Sequence, residues 1–195
     1  MKKYVLRVFF AFFIGAVLFV RSLQSVAGAL LILLVWRIKK RCSLEFPLLL
    51  QLYYGFFLVA ALFLGETLDF YYRIALWDNI LHMSSGFVVA ALGYSLVNHS
   101  KYGLGPCLKA VFAFSFSMMV GALWEIFEFA FDFFFGANMQ KFLLESGVPL
   151  MGERALFDTM TDLSVCALGA ICFLALLALK CPYMDHLLVK KVDLE

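Results

Sequence analysis

The chain has 195 residues, of which 64% are hydrophobic and 15% charged, with a net charge of +2 and a mean hydropathy of +0.93. A soluble domain has about 45–50% apolar and 25% charged residues, so a water-soluble globular fold is excluded, and +2 is too small a charge to argue for nucleic acid. What remains is an all-α, polytopic integral membrane bundle, read as a single transmembrane domain over residues 1–195 because no Ser/Pro-rich linker or low-complexity tract divides it.

In chain order, two apolar runs come first, Val8–Val20 and Val26–Trp36, separated by Arg21-Ser-Leu-Gln-Ser25; counted with their flanks they give expected spans over 4–20 and 22–38. Each is about 17 residues, the short end of what crosses a bilayer. Lys2-Lys3, the following apolar run and Ser25-Val-Ala-Gly-Ala29 also imitate a secretory signal. Cleavage there would strand Ala29–Trp36 as an apolar fragment too short to span, which favours a helical hairpin. The basic cluster Arg37-Ile-Lys-Lys-Arg41 follows, a topology determinant that also suits anionic lipid. A third span is expected over 46–64. Next comes an aromatic stretch, Phe70–Trp77, with Tyr71, Tyr72 and Trp77 suited to the membrane interface. The fourth, fifth and sixth spans are expected at 78–97, 107–135 and 157–179, the last two joined by a polar connection carrying Lys141, Glu145, Glu153 and Arg154.

Six spans put both termini on one side, and Lys/Arg distribution says which. With the termini lie Lys2, Lys3, Arg7, the Arg37–Arg41 cluster, Lys101, Lys109, Lys180, Lys190 and Lys191; opposite lie Arg21, Arg73, Lys141 and Arg154. Cytoplasmic termini are therefore expected. The five cysteines are odd in number and form no Cys-x-x-Cys pair, so neither a disulfide framework nor a thiolate metal site is expected.

Within this topology the polar residues converge. In Trp124-Glu-Ile-Phe-Glu-Phe-Ala-Phe-Asp132, the carboxylates of Glu125, Glu128 and Asp132 fall within roughly 60° on one helical stripe. Carboxylates inside a membrane helix are costly in lipid and must face protein, water or an ion. Asp78-x-x-x-His82 opens the fourth span and Asp158-x-x-x-Asp162 the sixth, both at the outer end. At 1.5 Å per residue His82 and Asp162 sit about 6 Å below their helix starts, in one layer with the three carboxylates. The stripes continue into Gly86 and Gly93, Ser117 and Gly121, and Cys166 and Gly169, small residues that let membrane helices approach closely.

So many carboxylates with one imidazole need partial protonation, basic partners such as Arg73 and Arg154, or a bound cation. The donor set suits Mg, Mn, Ca or Fe(II), with zinc less favoured. On this reading Asp78, His82, Glu125, Glu128, Asp158 and Asp162 are the candidate metal ligands. Glu125, Glu128 and His82 are the candidates for acid–base work, and Arg73 or Arg154 could hold a phosphate. The plainer alternatives stand beside it. Asp78 and Asp158 suit helix first turns as caps, His82 could hydrogen-bond across helices, and Glu125 and Glu128 could join an ion-pair network with Arg73 or Arg154. Three functions follow: a metal-dependent site that binds or hydrolyses a polar lipid headgroup, a proton- or cation-coupled transporter, or an accessory structural protein. The expected partners are membrane lipids, with a headgroup or a small ion as ligand.

At Trp77-Asp-Asn-Ile-Leu-His-Met-Ser-Ser-Gly86, Trp124-Glu-Ile-Phe-Glu128 and Phe157-Asp-Thr-Met-Thr-Asp162 followed by Gly169, the chain resembles the YjdF-like family of bacterial inner-membrane proteins. More distantly it is similar to the VanZ-like family linked to glycopeptide resistance, although Asp162 stands where that pattern has Asn. The likeness covers about residues 66–170. It implies a membrane protein with a site at these motifs and implies no reaction.

Overall fold

The computed structural model describes residues 37, 44–45, 47–98, 103–144, 146–180 and 190–191. The expected first two spans, 4–20 and 22–38, lie outside the described residues except for Arg37. Among the described residues, four helices are long and apolar enough to cross a membrane: Leu48–Gly65, Trp77–Asn98, Pro106–Phe135 and Glu153–Ala178. The chain forms two compact units, one containing Met1–Trp77 with Asp185–Glu195 and the other Asp78–Met184.

In the first unit, strand β1 (Leu44–Glu45) pairs antiparallel with β2 (Lys190–Lys191) over two residues. Helix α1 (Leu48–Leu58) starts after Pro47, whose missing N–H costs nothing at a helix start, and runs on as a π-helix over Val59–Thr67. The wider winding ends where Leu68 N–H donates to Phe63 O at 3.1 Å. A single turn, α2 (Phe70–Arg73), follows, and the Phe70 ring meets Trp77 edge-on at 5.0 Å.

The second unit is built from three long helices. Helix α3 (Trp77–Asn98) carries Asp78 in its first turn. Helix α4 (Pro106–Phe135) has 30 residues, with Pro106 pre-set for the first turn and Gly136 closing it in the left-handed conformation. Helix α5 (Glu153–Ala178) begins at Glu153, four residues before the expected 157, because an acidic first turn complements the helix dipole. Its flanks read as polar loop in sequence, yet they are the helix start.

Lipid tails are as apolar as the side chains, so helix cohesion here comes from close packing and interhelical hydrogen bonds rather than from escape from water. Helices α3 and α5 cross backbone to backbone. A Cβ on Gly86 would run into the Cys166 carbonyl, and one on Gly169 into the carbonyl of Met83. Ser117 Oγ donates to Gly86 O at 2.9 Å, tying α4 to the same crossing. Below it Phe173, fully buried, takes Phe87 and Tyr94 against its ring at 5.6 and 6.1 Å, both edge-to-face. The outer face of α4 carries exposed Ile126, Phe129, Phe133, Phe134 and Phe135, which suits lipid contact.

Candidate functional site

The crossing at Gly86 and Gly169 sets the spacing of the polar residues one to three turns away on α3 and α5. Asp78 and His82 project from the start of α3, Asp158 and Asp162 from the start of α5, and Glu125, Glu128 and Asp132 from the last third of α4. The α4 stripe faces inward as one set: Glu125, Glu128 and Asp132 are 5%, 7% and 7% exposed. Their surroundings differ, however, and only some of them meet the other two helices.

His82 is the hub. Its Nε2 lies 3.5 Å from Asp78 Oδ1 and 3.9 Å from Asp162 Oδ2, while Nδ1 lies 3.8 Å from Glu125 Oε1. These separations are at or beyond hydrogen-bond reach, so the imidazole stands among three carboxylates without being bonded to them. Both oxygens of Glu125 and Oδ2 of Asp162 are buried with no hydrogen-bond partner. An unsatisfied buried acceptor costs about 1–3 kcal/mol, more when charged. Of these atoms, Glu125 Oε1 lies on the Nδ1 side of His82 and Asp162 Oδ2 on its Nε2 side.

One donor atom each from Asp78, His82 and Asp162 lies within 4.8 Å of the others. Oxygen ligands at 2.3–2.6 Å on opposite sides of a calcium ion are about 4.6–5.2 Å apart, and around magnesium about 4.0–4.2 Å. The donor separations are therefore in the range of ligands around a calcium-sized ion and wider than those around magnesium. Two carboxylates and one imidazole are the donors of a hard to intermediate divalent ion.

The cation that reaches the carboxylates is Lys141, from the connection between α4 and α5. Its ammonium donates to Asp78 Oδ2 and, at 3.0 Å, to Asp158 Oδ1. Burial pushes the Lys141 ammonium down, but the two carboxylates beside it outweigh that and hold it above the usual lysine range, so it stays charged at any physiological pH. Arg73 instead pairs with Asp69 at 3.7 Å, both well exposed, and Arg154 stands exposed in the first turns of α5.

Glu128 and Asp132 are occupied in other ways. Trp124 Nε1 donates to Glu128 Oε1 at 2.7 Å, one helical turn back. Asp132 accepts the backbone N–H groups of Met139 and Gln140 at 2.7 and 3.0 Å. Gln140 in turn donates to Thr159 Oγ1 at 3.0 Å, and Asn138 pairs with the backbone of Leu143 in both directions at 2.8 and 2.9 Å. Lys141 is therefore delivered by a strapped loop, at a left-handed backbone position with φ 47°. Asp132→Ala should release the strap. The expected result is a loss of about 1–3 kcal/mol, read as a lower midpoint of thermal unfolding, together with proteolytic cutting between 137 and 150 that the unaltered chain resists.

Sequence reasoning did not single out Lys141 or Gln140. The available signal was charge balance: Lys141 is one of only four Lys/Arg residues on the side expected to hold the acidic layer.

A family model described as "Predicted membrane protein (DUF2238)" matches residues 1–181. A Thermotoga maritima protein described as uncharacterized is 33% identical over 107 residues, covering 54% of this chain and 50% of that protein, so the chain spans about half the length of the curated relative it matches. No solved structure matches. The YjdF-like resemblance is consistent with these matches, whereas the VanZ-like one gains no support from them.

Proposed function

The chain belongs to the DUF2238 family of predicted membrane proteins, and from its buried acidic centre we propose a bacterial inner-membrane protein that holds a divalent cation and acts on a polar lipid headgroup. The observation that carries this reading is the convergence of Asp78, His82 and Asp162 from two helices, beside buried Glu125 and Asp162 oxygens that have no partner. The Lys/Arg asymmetry supports six spans with cytoplasmic termini, which turns the centre toward the envelope.

On this reading Asp78, His82 and Asp162 hold the ion. Glu125 faces the other imidazole nitrogen at 3.8 Å and is the group placed to take a proton from an attacking water. The ion would supply Lewis-acid polarisation of a phosphoryl or carbonyl oxygen. The outer face of α4 carries exposed apolar side chains that suit lipid, which favours a substrate that already lies in the membrane. Glu128 and Asp158, tied to Trp124 and Lys141, play supporting parts.

Transport gains less. Inward of the centre the buried serines donate to backbone carbonyls, Ser95 to Ala91 and Ser117 to Gly86, rather than lining a polar path. A structural role is favoured by one observation, the Lys141 bridge between Asp78 and Asp158. Elemental analysis separates it from an ion site. Full-length protein purified in detergent, stripped with chelator and dialysed against manganese should retain about one ion per chain. Folded protein that retains none would sink the ion reading and leave the structural one.

A further inference from the structure

Asp78 borders two cation positions. Its Oδ1 faces His82 Nε2 at 3.5 Å, on the side where Asp162 also converges. Its Oδ2 accepts from the Lys141 ammonium, which at 3.0 Å also reaches Asp158 Oδ1. The first position is bounded by an acceptor with nothing bonded to it: the Asp162 side chain is 2% exposed and its Oδ2 is buried without a partner. The second position holds a nitrogen, yet it too has an acceptor to spare, because Asp158 Oδ2 is buried with no partner. A carboxylate that turns one oxygen to each of two adjacent cations is the bridge of a two-metal centre, whose ions lie about 3.5–4 Å apart.

We propose that Lys141 occupies the second cation position of a two-cation centre bridged by Asp78, so that the chain takes one divalent ion and supplies the other positive charge itself. This rests on the reading of Asp78, His82 and Asp162 as an ion site. The ammonium brings a single charge that neither dissociates nor depends on metal supply. Its placement belongs to the fold, since the strap that carries it is bonded to Asp132 through the two residues before it. With Lys141 absent, Asp78 and Asp158 would face each other as unneutralised carboxylates, and a second ion would have the ligands it needs.

Manganese tests this through both its count and its magnetism. The full-length protein in detergent, stripped and reloaded, should bind one manganese per chain with the spectrum of an isolated ion. Lys141→Gly is the informative variant, because glycine is unstrained at φ 47°. It should bind two, with the spin-coupled spectrum of a close pair, and Lys141→Gly combined with Asp158→Asn should return to one. Lys141→Ala, whose short side chain leaves the ammonium's place open, should match Lys141→Gly and covers the case in which that variant does not accumulate. One isolated ion in either single variant, or two ions in the unaltered chain, would overturn the proposal while leaving the ion site standing. No ion in any form would overturn both.

Discussion

Asp162→Asn should weaken manganese binding by about 100-fold or more in the detergent-purified protein, with little change in the amount of folded material. Altering groups that merely orient metal ligands costs about 10–100-fold, and a direct ligand lies at or beyond that limit. Asp162 is the most deeply buried member of the centre, 2% exposed, with Oδ2 bonded to nothing and 3.9 Å from His82 Nε2. Asparagine has nearly the same shape and keeps one carbonyl oxygen, but carries no charge to bind the cation. It also carries no charge to bury, and an uncompensated buried carboxylate is unfavourable. The two effects oppose each other in a way that discriminates. If Asp162 is a ligand, the variant binds manganese worse and, without metal, unfolds at the same or a higher temperature than the unaltered chain. If it only cements helices, the variant unfolds at a lower temperature and manganese affinity is unchanged. Binding isotherms and melting curves recorded with and without manganese decide between the two, and equal affinity in both proteins would remove Asp162 from the centre.

The largest loss of stability is expected at a residue with no polar atom in its side chain. Gly169→Leu should abolish accumulation of folded protein, because even its Cβ would overlap the Met83 carbonyl and lie 2.9 Å from the Phe87 backbone nitrogen. Backbone cannot rotate away as a side chain can. Helices α3 and α5 must separate, and overpacking usually costs about 1–3 kcal/mol even where side chains can adjust, so about 3 kcal/mol is a lower figure here. Separation also pulls His82 away from Asp162, since both sit within two turns of the crossing. Gly169→Ala, the smallest possible change, should therefore retain some folded protein but bind manganese less tightly. Gly103→Ala makes a suitable control, since nothing lies within 4 Å of a Cβ there. A Gly169→Leu protein that melts like the unaltered chain would mean that the crossing is not as close as described.

The parts of this architecture that could be read from sequence are those with a period. Apolar runs long enough to span a bilayer marked the four long helices, and the stripe Glu125, Glu128, Asp132 marked the inward face of α4. Glycines at Gly86 and Gly169 shared that periodicity with Asp78, His82, Asp158 and Asp162, so the packing seam and the polar seam were legible together. What lay hidden was aperiodic. Lys141 comes from an irregular loop, and nothing in its neighbours says that the Asp132 carboxylate would gather the N–H groups of Met139 and Gln140 and turn the lysine inward. Arg73 and Arg154 looked like the natural partners for buried carboxylates, yet the bonds to Asp78 and Asp158 are made by the lysine. The start of α5 was hidden for a different reason. Glu153 and Arg154 read as loop because they are charged, and in a membrane protein a charged first turn beyond the hydrocarbon is still helix.

The 30 residues of α4 make a rod about 45 Å long, against a hydrocarbon layer of about 30 Å. The surplus ends in Phe133, Phe134 and Phe135, each at least 63% exposed, so it gains little from standing in water. A rod of that length stays in the hydrocarbon only by leaning about 45–50° from the membrane normal, beyond the usual 0–40°, or by drawing thicker lipid around itself. Glu125, ten residues before the end of α4, lies about 15 Å back along the axis. Bilayer thickness and lean together therefore set how deep the acidic centre sits, and long acyl chains would shelter it where short ones would bring it to the headgroups.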